Sequence, residues 1–243
     1  MKNFARFKYA LKIRIAFIIF LHLCYVKVSL YLKKGLTITK QEFRFSAKSR
    51  LNHCFTHTPF AYKALNKALL YHLMQKKYKN VLVYMPFGNE VNIMPLISNL
   101  RKKKYRVLIP FIQEFSFKMI PLRMPLHKNA FGIYESNNSH FNLIKVDAVI
   151  IPVLGIDKHF RRIGFGRGMY DRFMSSLKNK VDIIFVAQSP NYVPKVITQN
   201  YDVQGDYFYT PSALCVRKRN GNMVCDRKYN LWIIGRSERI YHH

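Results

Sequence analysis

Acidic side chains are scarce in this chain: 12 Asp and Glu stand against 41 Lys and Arg, for a formal net charge of +29. With so few carboxylates, each one that falls among glycines and arginines carries weight. Cysteine is sparse too. Cys24, Cys54, Cys215 and Cys225 form no C-x-x-C pair, so a disulfide framework is not expected at this length and free thiols in a reduced compartment are. Long apolar runs are missing. The stretch from Ile15 to Val26 is interrupted by Lys27 and falls short of the roughly 20 residues that a membrane span needs. No internal repeat or low-complexity segment stands out.

What remains is enough for a folded domain. A hydrophobic content of 49% and an aromatic content of 15% exclude a mainly disordered polymer, and 243 residues suffice for one sizeable core. The charge implies anionic partners such as nucleotides, polyglutamylated cofactors, nucleic acid or lipid surfaces. It is spread unevenly: residues 1–35 hold eight basic and no acidic residues, and residues 211–243 hold seven basic and two acidic. Residues 1–35 place basic residues before an apolar run, without the small-residue cleavage site of a signal peptide. They read as an extension outside the functional domain; a membrane anchor through residues 15–26 and an ordinary core helix are the alternatives. The expected organisation is a basic and apolar extension at 1–35, a domain at 36–212 and a basic tail at 213–243.

Within the domain, Thr37-Ile38-Thr39 is a candidate N-cap, with Glu42 three residues on completing a capping box, and it begins a helix on which Lys40 and Arg44 share one face. A solvated basic stripe is the plain alternative there. A second helix is expected over Phe60 to Lys77, with Ala61, Leu65, Ala68, Leu69 and Leu73 inward. Val81 to Met85 reads as a strand stopped by Pro86 and Gly88, with Glu90 in the turn and a helix from Ile93. Val107 to Pro110, Phe117 to Ile120, Ala148 to Leu154, Asp182 to Ala187 and Tyr207 to Tyr209 are further strands. Alternating strands and helices predict a three-layer α/β/α domain with a mainly parallel sheet. Ligands of such sheets bind at the carboxyl ends of strands; Glu90 and the stretch Gly155 to Asp171 fall there.

That stretch, GIDKHFRRIGFGRGMYD, suits phosphate. Gly164, Gly166 and Gly168 let the backbone approach an anion, and Arg162 and Arg167 supply charge. A carboxylate at Asp171 beside such cations makes sense when it faces a metal, and Mg²⁺ would supply that charge. Taken singly, Asp171 is also a helix N-terminal carboxylate, Arg162 and Arg167 are also solvated charges, and Asp206 is an alternative to Asp202. His159 reads as a loop residue and Tyr170 as packing.

Arg162-Ile163-Gly164-Phe165-Gly166-Arg167-Gly168-Met169-Tyr170-Asp171, after Gly155-Ile156-Asp157, resembles the signature of the 5-formyltetrahydrofolate cyclo-ligase family. Lys40-x-x-x-Arg44, Glu90 after its strand, and Asp202 before the last strand agree in order and spacing, so that the resemblance covers roughly residues 37 to 210. It implies a Mg²⁺- and ATP-dependent, cytoplasmic enzyme that closes 5-formyltetrahydrofolate to 5,10-methenyltetrahydrofolate. By the same resemblance, ATP would be held by Lys40, Arg44, Arg162, Gly164, Phe165, Gly166, Arg167, Gly168, Met169 and Tyr170. Arg162 and Arg167 would be catalytic, Met85, Glu90, Phe165 and Met169 would contact the folate, and Asp171 and Asp202 would hold Mg²⁺. The chemistry suits these residue types: phosphorylating the formyl oxygen makes it a leaving group, and phosphoryl transfer asks for alignment and neutralisation rather than a protein nucleophile. Two positions depart from the pattern. Met169 stands where the family carries tyrosine, leaving an apolar wall, and Phe160 stands where it carries a glycine, a residue expected to resist a positive φ. A second reading, motivated by the charge, is a basic nucleic-acid-binding protein on a degenerate cyclo-ligase fold; short of that, nucleic acid would meet only the basic tails, non-specifically.

Overall fold

The central strands of this protein are apolar on both sides, so each needs a packed layer on either face. The computed structural model describes residues 38–53, 59–114, 116–139, 145–177 and 179–226. The extension at 1–35 with its candidate anchor, Thr37, Cys24, Cys54 and the end of the chain from 227 lie outside them. Among the described residues, no helix is long and apolar enough to cross a membrane.

The helices are α1 (Lys40–His53), α2 (Pro59–Gln75), α3 (Met94–Lys102) and α4 (Met169–Ser176). The strands are β1 (Asn80–Leu82), β2 (Arg106–Gln113), β3 (Ser116–Pro121), β4 (His127–Lys128), β5 (Tyr134–Glu135), β6 (Ala148–Pro152) and β7 (Gly155–Asp157), followed by β8 (Arg162–Ile163), β9 (Asp182–Val186), β10 (Tyr192–Val193), β11 (Tyr207–Tyr209), β12 (Leu214–Arg217) and β13 (Met223–Asp226). Eight of these strands form one sheet in the order β13-β12-β11-β9-β6-β1-β2-β3. Its centre, β2 through β11, is parallel, and its two flanks are antiparallel.

Successive residues of a strand face opposite ways, and the two cores divide accordingly. Val81, Val107, Ile109, Ile150, Ile184 and Val186 meet Leu65, Leu69 and Leu73 of α2 and Leu96 and Leu100 of α3. Leu82, Leu108, Val149, Ile151, Phe185 and Phe208 meet Phe173 of α4 and Phe160. This is the three-layer α/β arrangement with a mainly parallel sheet.

Several expectations change in detail. The stretch expected as a basic tail from residue 213 runs, through Asp226, as β12 and β13 on the sheet edge. Its basic residues gather at the hairpin turn, Arg217-Lys218-Arg219, while Ala213 and Cys215 are buried. The expectation of free thiols fails for the same reason. The hairpin register sets Cys215 opposite Cys225, with Cα atoms 4.0 Å apart, and the two are joined as a disulfide. A separation of ten residues says nothing about pairing until that register exists. The first half of the Gly155–Asp171 stretch is a small sheet, β10-β7-β8, rather than a plain loop. Gly155 fits there because an added Cβ would stand 2.4 Å from the Asn191 carbonyl and 2.6 Å from the Phe43 ring.

Phe160 takes the positive φ it was expected to resist, at 57°. The turn is closed by Phe160 N–H donating to the Asp157 carbonyl at 2.9 Å, and the ring is fully buried against Phe185. Left-handed backbone costs a non-glycine residue roughly 1–2 kcal/mol, whereas burying an aromatic ring of this size stabilises by about 2–3 kcal/mol. Burial wins.

Candidate active site

From β1 the chain moves to β2 on one side, while β6 pairs on the other. Strand order therefore reverses between β1 and β6, and a crevice opens beyond the carboxyl ends of the strands at such a point. A shallow cleft lies here, walled by Glu90 and Val91 after β1, Leu154 after β6, Gln188 after β9, and Phe165. Gln188 ties the walls together, donating to the Asn89 carbonyl at 3.1 Å and accepting from the Tyr62 hydroxyl.

Glu90 is folded back on its own turn, where Oε2 accepts the Phe87 N–H at 3.0 Å. Burial pushes its carboxyl up to about 7, against the lowering effects of that hydrogen bond and of Arg162. Met85 lies just inside, buried in the core beneath the crevice. Tyr84 and Tyr170 are held neutral by burial, with Glu90 adding to the effect.

Arg162 is the centre of the basic half. Its side chain is buried, yet Nε and Nη1 have no hydrogen-bond partner. Burial pushes its pKa down, with Asp171 the main opposing charge, its Oδ1 3.7 Å from Nε. The ring of Tyr170 lies 5.4 Å from the guanidinium carbon. Gly164 makes room for this side chain: an added Cβ would fall 2.1 Å from Arg162 Nη2. Beyond it, Gly166 at φ 119° and Gly168 at φ 64° turn the chain into α4, with Met169, Tyr170 and Asp171 in the first turn. Around a Cβ on Gly166 there is nothing within 4 Å, so the backbone there is open to a ligand.

Helix α1 lays its basic face on this loop. Arg44 Nε donates to the Gly164 carbonyl at 3.0 Å, and Lys48 Nζ to the Phe165 carbonyl at 3.3 Å. Lys40 Nζ, one turn earlier, meets both carboxylate oxygens of Asp202 at 2.7 and 2.5 Å. Asp202 also accepts the Gln199 N–H at 2.7 Å. The next residue, Val203, donates its N–H to Asp171 Oδ1 at 3.1 Å, and Arg162 N–H donates to the Val203 carbonyl at 2.9 Å. Residues 202–203 thus join Lys40, Asp202, Asp171 and Arg162 into one cluster. Asp206 does not belong to it, being paired with Arg217 at 2.6 Å.

Arg167 is exposed, with its guanidinium 4.5 Å from the Phe131 ring in the β4–β5 turn. His159 contributes backbone groups to a turn anchored on Asp157. Two participants escape a reading of sequence alone. Lys48 continues the four-residue spacing of Lys40 and Arg44, a signal that was present. Arg161 holds the carbonyls of Asn200 and Asp202 at 2.8 and 2.7 Å, for which only the fold provides a reason.

Comparison with known proteins gives a consistent picture. The model of the 5-formyltetrahydrofolate cyclo-ligase family matches residues 37–211. The 5-formyltetrahydrofolate cyclo-ligase of Haemophilus influenzae is 29% identical over 138 residues, covering 53% of this chain and 74% of that protein. The one from Mycoplasma genitalium is 26% identical over 163 residues, covering 66% and 85%. Among solved structures, the Aquifex aeolicus 5,10-methenyltetrahydrofolate synthetase matches with a TM-score of 0.62 at 25% identity, over 73% of this chain and 92% of that one. The Mycoplasma pneumoniae 5,10-methenyltetrahydrofolate synthetase shares the fold at a TM-score of 0.53 and 22% identity, over 70% and 98%.

Proposed function

The chain belongs to the 5-formyltetrahydrofolate cyclo-ligase family, and on that premise we propose that its crevice converts 5-formyltetrahydrofolate to 5,10-methenyltetrahydrofolate. The reaction would consume ATP with Mg²⁺, release ADP and phosphate, and take place in the cytoplasm. The observation that carries this reading is Arg162: a buried guanidinium with two nitrogens that have no hydrogen-bond partner, Nε having only the longer ion pair with Asp171, beside glycines that open the backbone. A cation in that state is held for an anion, since an unmatched buried donor is costly.

The residues fit the phosphates of ATP. Arg44 and Lys48 reach the Gly164 and Phe165 carbonyls, Arg162 lies against Gly164, and Lys40 stands one turn before Arg44 on α1, paired with Asp202. They fit Mg²⁺ through Asp171, since this ion is commonly bound by one or two carboxylates plus phosphate oxygens and water. Asp202 fits as a second ligand once Lys40 exchanges its carboxylate for a phosphate. ATP supplies the phosphoryl group that turns the formyl oxygen into a leaving group, and Mg²⁺ offsets the charge.

The chain's own part is alignment. Glu90, ionised, accepts two hydrogen bonds from the ring N–H and amino group of the pterin, and Met85, Phe165 and Met169 provide apolar walls. Arg162 neutralises charge that develops on the transferred group. Arg167 leaves Phe131 to do the same from the solvent side. With the carbon activated, N10 of the substrate closes the ring and phosphate departs.

The test is turnover by the purified full chain with fresh 5-formyltetrahydrofolate, followed by methenyl absorbance with and without ATP. Absence of ATP-dependent product overturns the proposal. Asp171→Asn is expected to abolish turnover while the circular dichroism spectrum stays native; an active variant removes the metal role.

A further inference from the structure

The helices that precede β1 and β2 end in the same way. One runs into Lys76-Lys77-Tyr78-Lys79 and the other into Lys103-Lys104-Tyr105-Arg106. In each, the second lysine has left-handed backbone, φ 56° at Lys77 and 60° at Lys104. The closing bonds also match: Lys77 N–H to the Met74 carbonyl at 3.0 Å and Tyr78 N–H to that of Leu73 at 3.2 Å, then Lys104 to Arg101 and Tyr105 to Leu100, both at 3.0 Å. Glycine closes a helix in this conformation without strain. This chain instead puts an exposed lysine there twice, on neighbouring strands. Charge is kept at the expense of backbone comfort.

These turns begin a longer row. Lys145 precedes β6, Lys180 precedes β9, and Arg219 lies in the β12–β13 turn beside the start of β11; all three are exposed. All stand at the amino-terminal edge of the parallel strands, the end opposite the crevice. Backbone bonds make the edge continuous: Arg106 to Lys79, Asp147 to Asn80, Asp182 to Asp147, and Arg217 to Asp206. Its carboxylates are half-buried and already engaged. Asp147 accepts the Lys79 and Asn80 N–H groups, both at 2.8 Å, Asp182 accepts the Tyr78 hydroxyl, and Asp206 is paired with Arg217. With neighbouring strands about 4.8 Å apart, the row from β2 to β12 extends on the order of 25 Å.

We propose that this edge binds the phosphodiester backbone of nucleic acid, without reading bases. A linear row of cations complements a linear polyanion, and each phosphate neutralised releases condensed counterions. A membrane surface fits less well, because adsorption also draws on buried apolar area. Among the described residues, the large apolar side chains exposed near this edge are Met74 at the end of α2 and Val224 on β13, at opposite ends of the row, while Phe60 is at the far end of α2 and Phe45, Phe87 and Phe131 lie on other elements. Standing opposite the crevice, the surface leaves the folate chemistry free to proceed.

The test uses the full chain and a labelled 20-base-pair duplex, with anisotropy read from about 50 to 200 mM salt. The variant Lys77→Gly with Lys104→Gly removes two cations while relieving both strained backbones. Its thermal midpoint is therefore expected to hold or rise, so lost binding cannot be ascribed to misfolding. Affinity at the lowest salt should fall about tenfold or more, and the salt slope by about two units, one per cation removed. The pair Lys63→Ala and Lys67→Ala, exposed on α2, removes the same charge elsewhere and should leave the slope within one unit. Four results overturn the proposal: no binding by the parent chain, unchanged binding by the glycine variant, equal loss in the control, or tighter capture by phosphatidylserine vesicles than by the duplex.

Discussion

Replacing Glu90 by Gln separates burial from function at the crevice. Burial raises the folded carboxyl to about 7, while in an unfolded chain it titrates near 4.3. Between those values the folded protein keeps a proton that the unfolded chain has released. The stability this confers is therefore complete below the unfolded pKa and is lost as pH rises through about 7. A gap of between two and three pH units at about 1.4 kcal/mol each corresponds to roughly 3 kcal/mol, an upper figure for a group facing an open cleft. Glu90→Gln removes the titration, so its stability minus that of the parent should grow by about 2 kcal/mol between pH 5 and pH 8, part of the change having already occurred between the unfolded value and pH 5. His72 works in the opposite sense: burial lowers it to about 4, so its contribution is present above its unfolded pKa and fades as pH falls towards 4. Both proteins share that trend, and it cancels in the difference. Urea unfolding across pH 5 to 8 provides the measurement, and parallel curves for the two proteins would refute the reasoning. Kinetics supply the functional half. The KM for folate should fall as pH rises through 7 in the parent, as the ionised carboxylate becomes available, and stay high and flat in the variant.

Gly164→Ala drives a methyl group into Arg162 and displaces a charged donor, so kcat/KM for ATP should fall about 10- to 100-fold, with little change in thermal midpoint; unchanged kinetics would show that Arg162 does not touch the nucleotide. At the buried turn, Phe160→Ala should cost about 3–5 kcal/mol, and Phe160→Gly about 1 kcal/mol less because glycine accepts the positive φ. Denaturant unfolding checks the order, and an alanine variant as stable as the glycine one would contradict it. Lys40→Met and Asp202→Asn should couple by about 1–3 kcal/mol in a double-mutant cycle of stability, whereas additive effects would mean the ion pair contributes nothing.

The layered α/β architecture was legible in the sequence because short apolar runs alternated with helical spacing, and both signals are local. The loop from Arg162 to Asp171 was legible for a similar reason. Glycines between arginines, ending in one of few carboxylates, form a contiguous pattern. Lys48 was legible in principle, one turn beyond Arg44. What the chain itself determined is therefore the inventory of charges and turns, and the order in which they arrive.

Pairing depended on the tertiary structure. That Lys40 meets Asp202, that Arg161 rather than Arg162 holds the 200–202 backbone, and that Cys215 faces Cys225 all follow from strand register between distant segments. The same holds for β12 and β13, whose basic residues read as a tail until β11 offers an edge to join. Phe160 shows the balance most directly. Local preference argues against its backbone conformation, and a buried ring stacked on Phe185 overrides that preference, since burial contributes more than the strain costs.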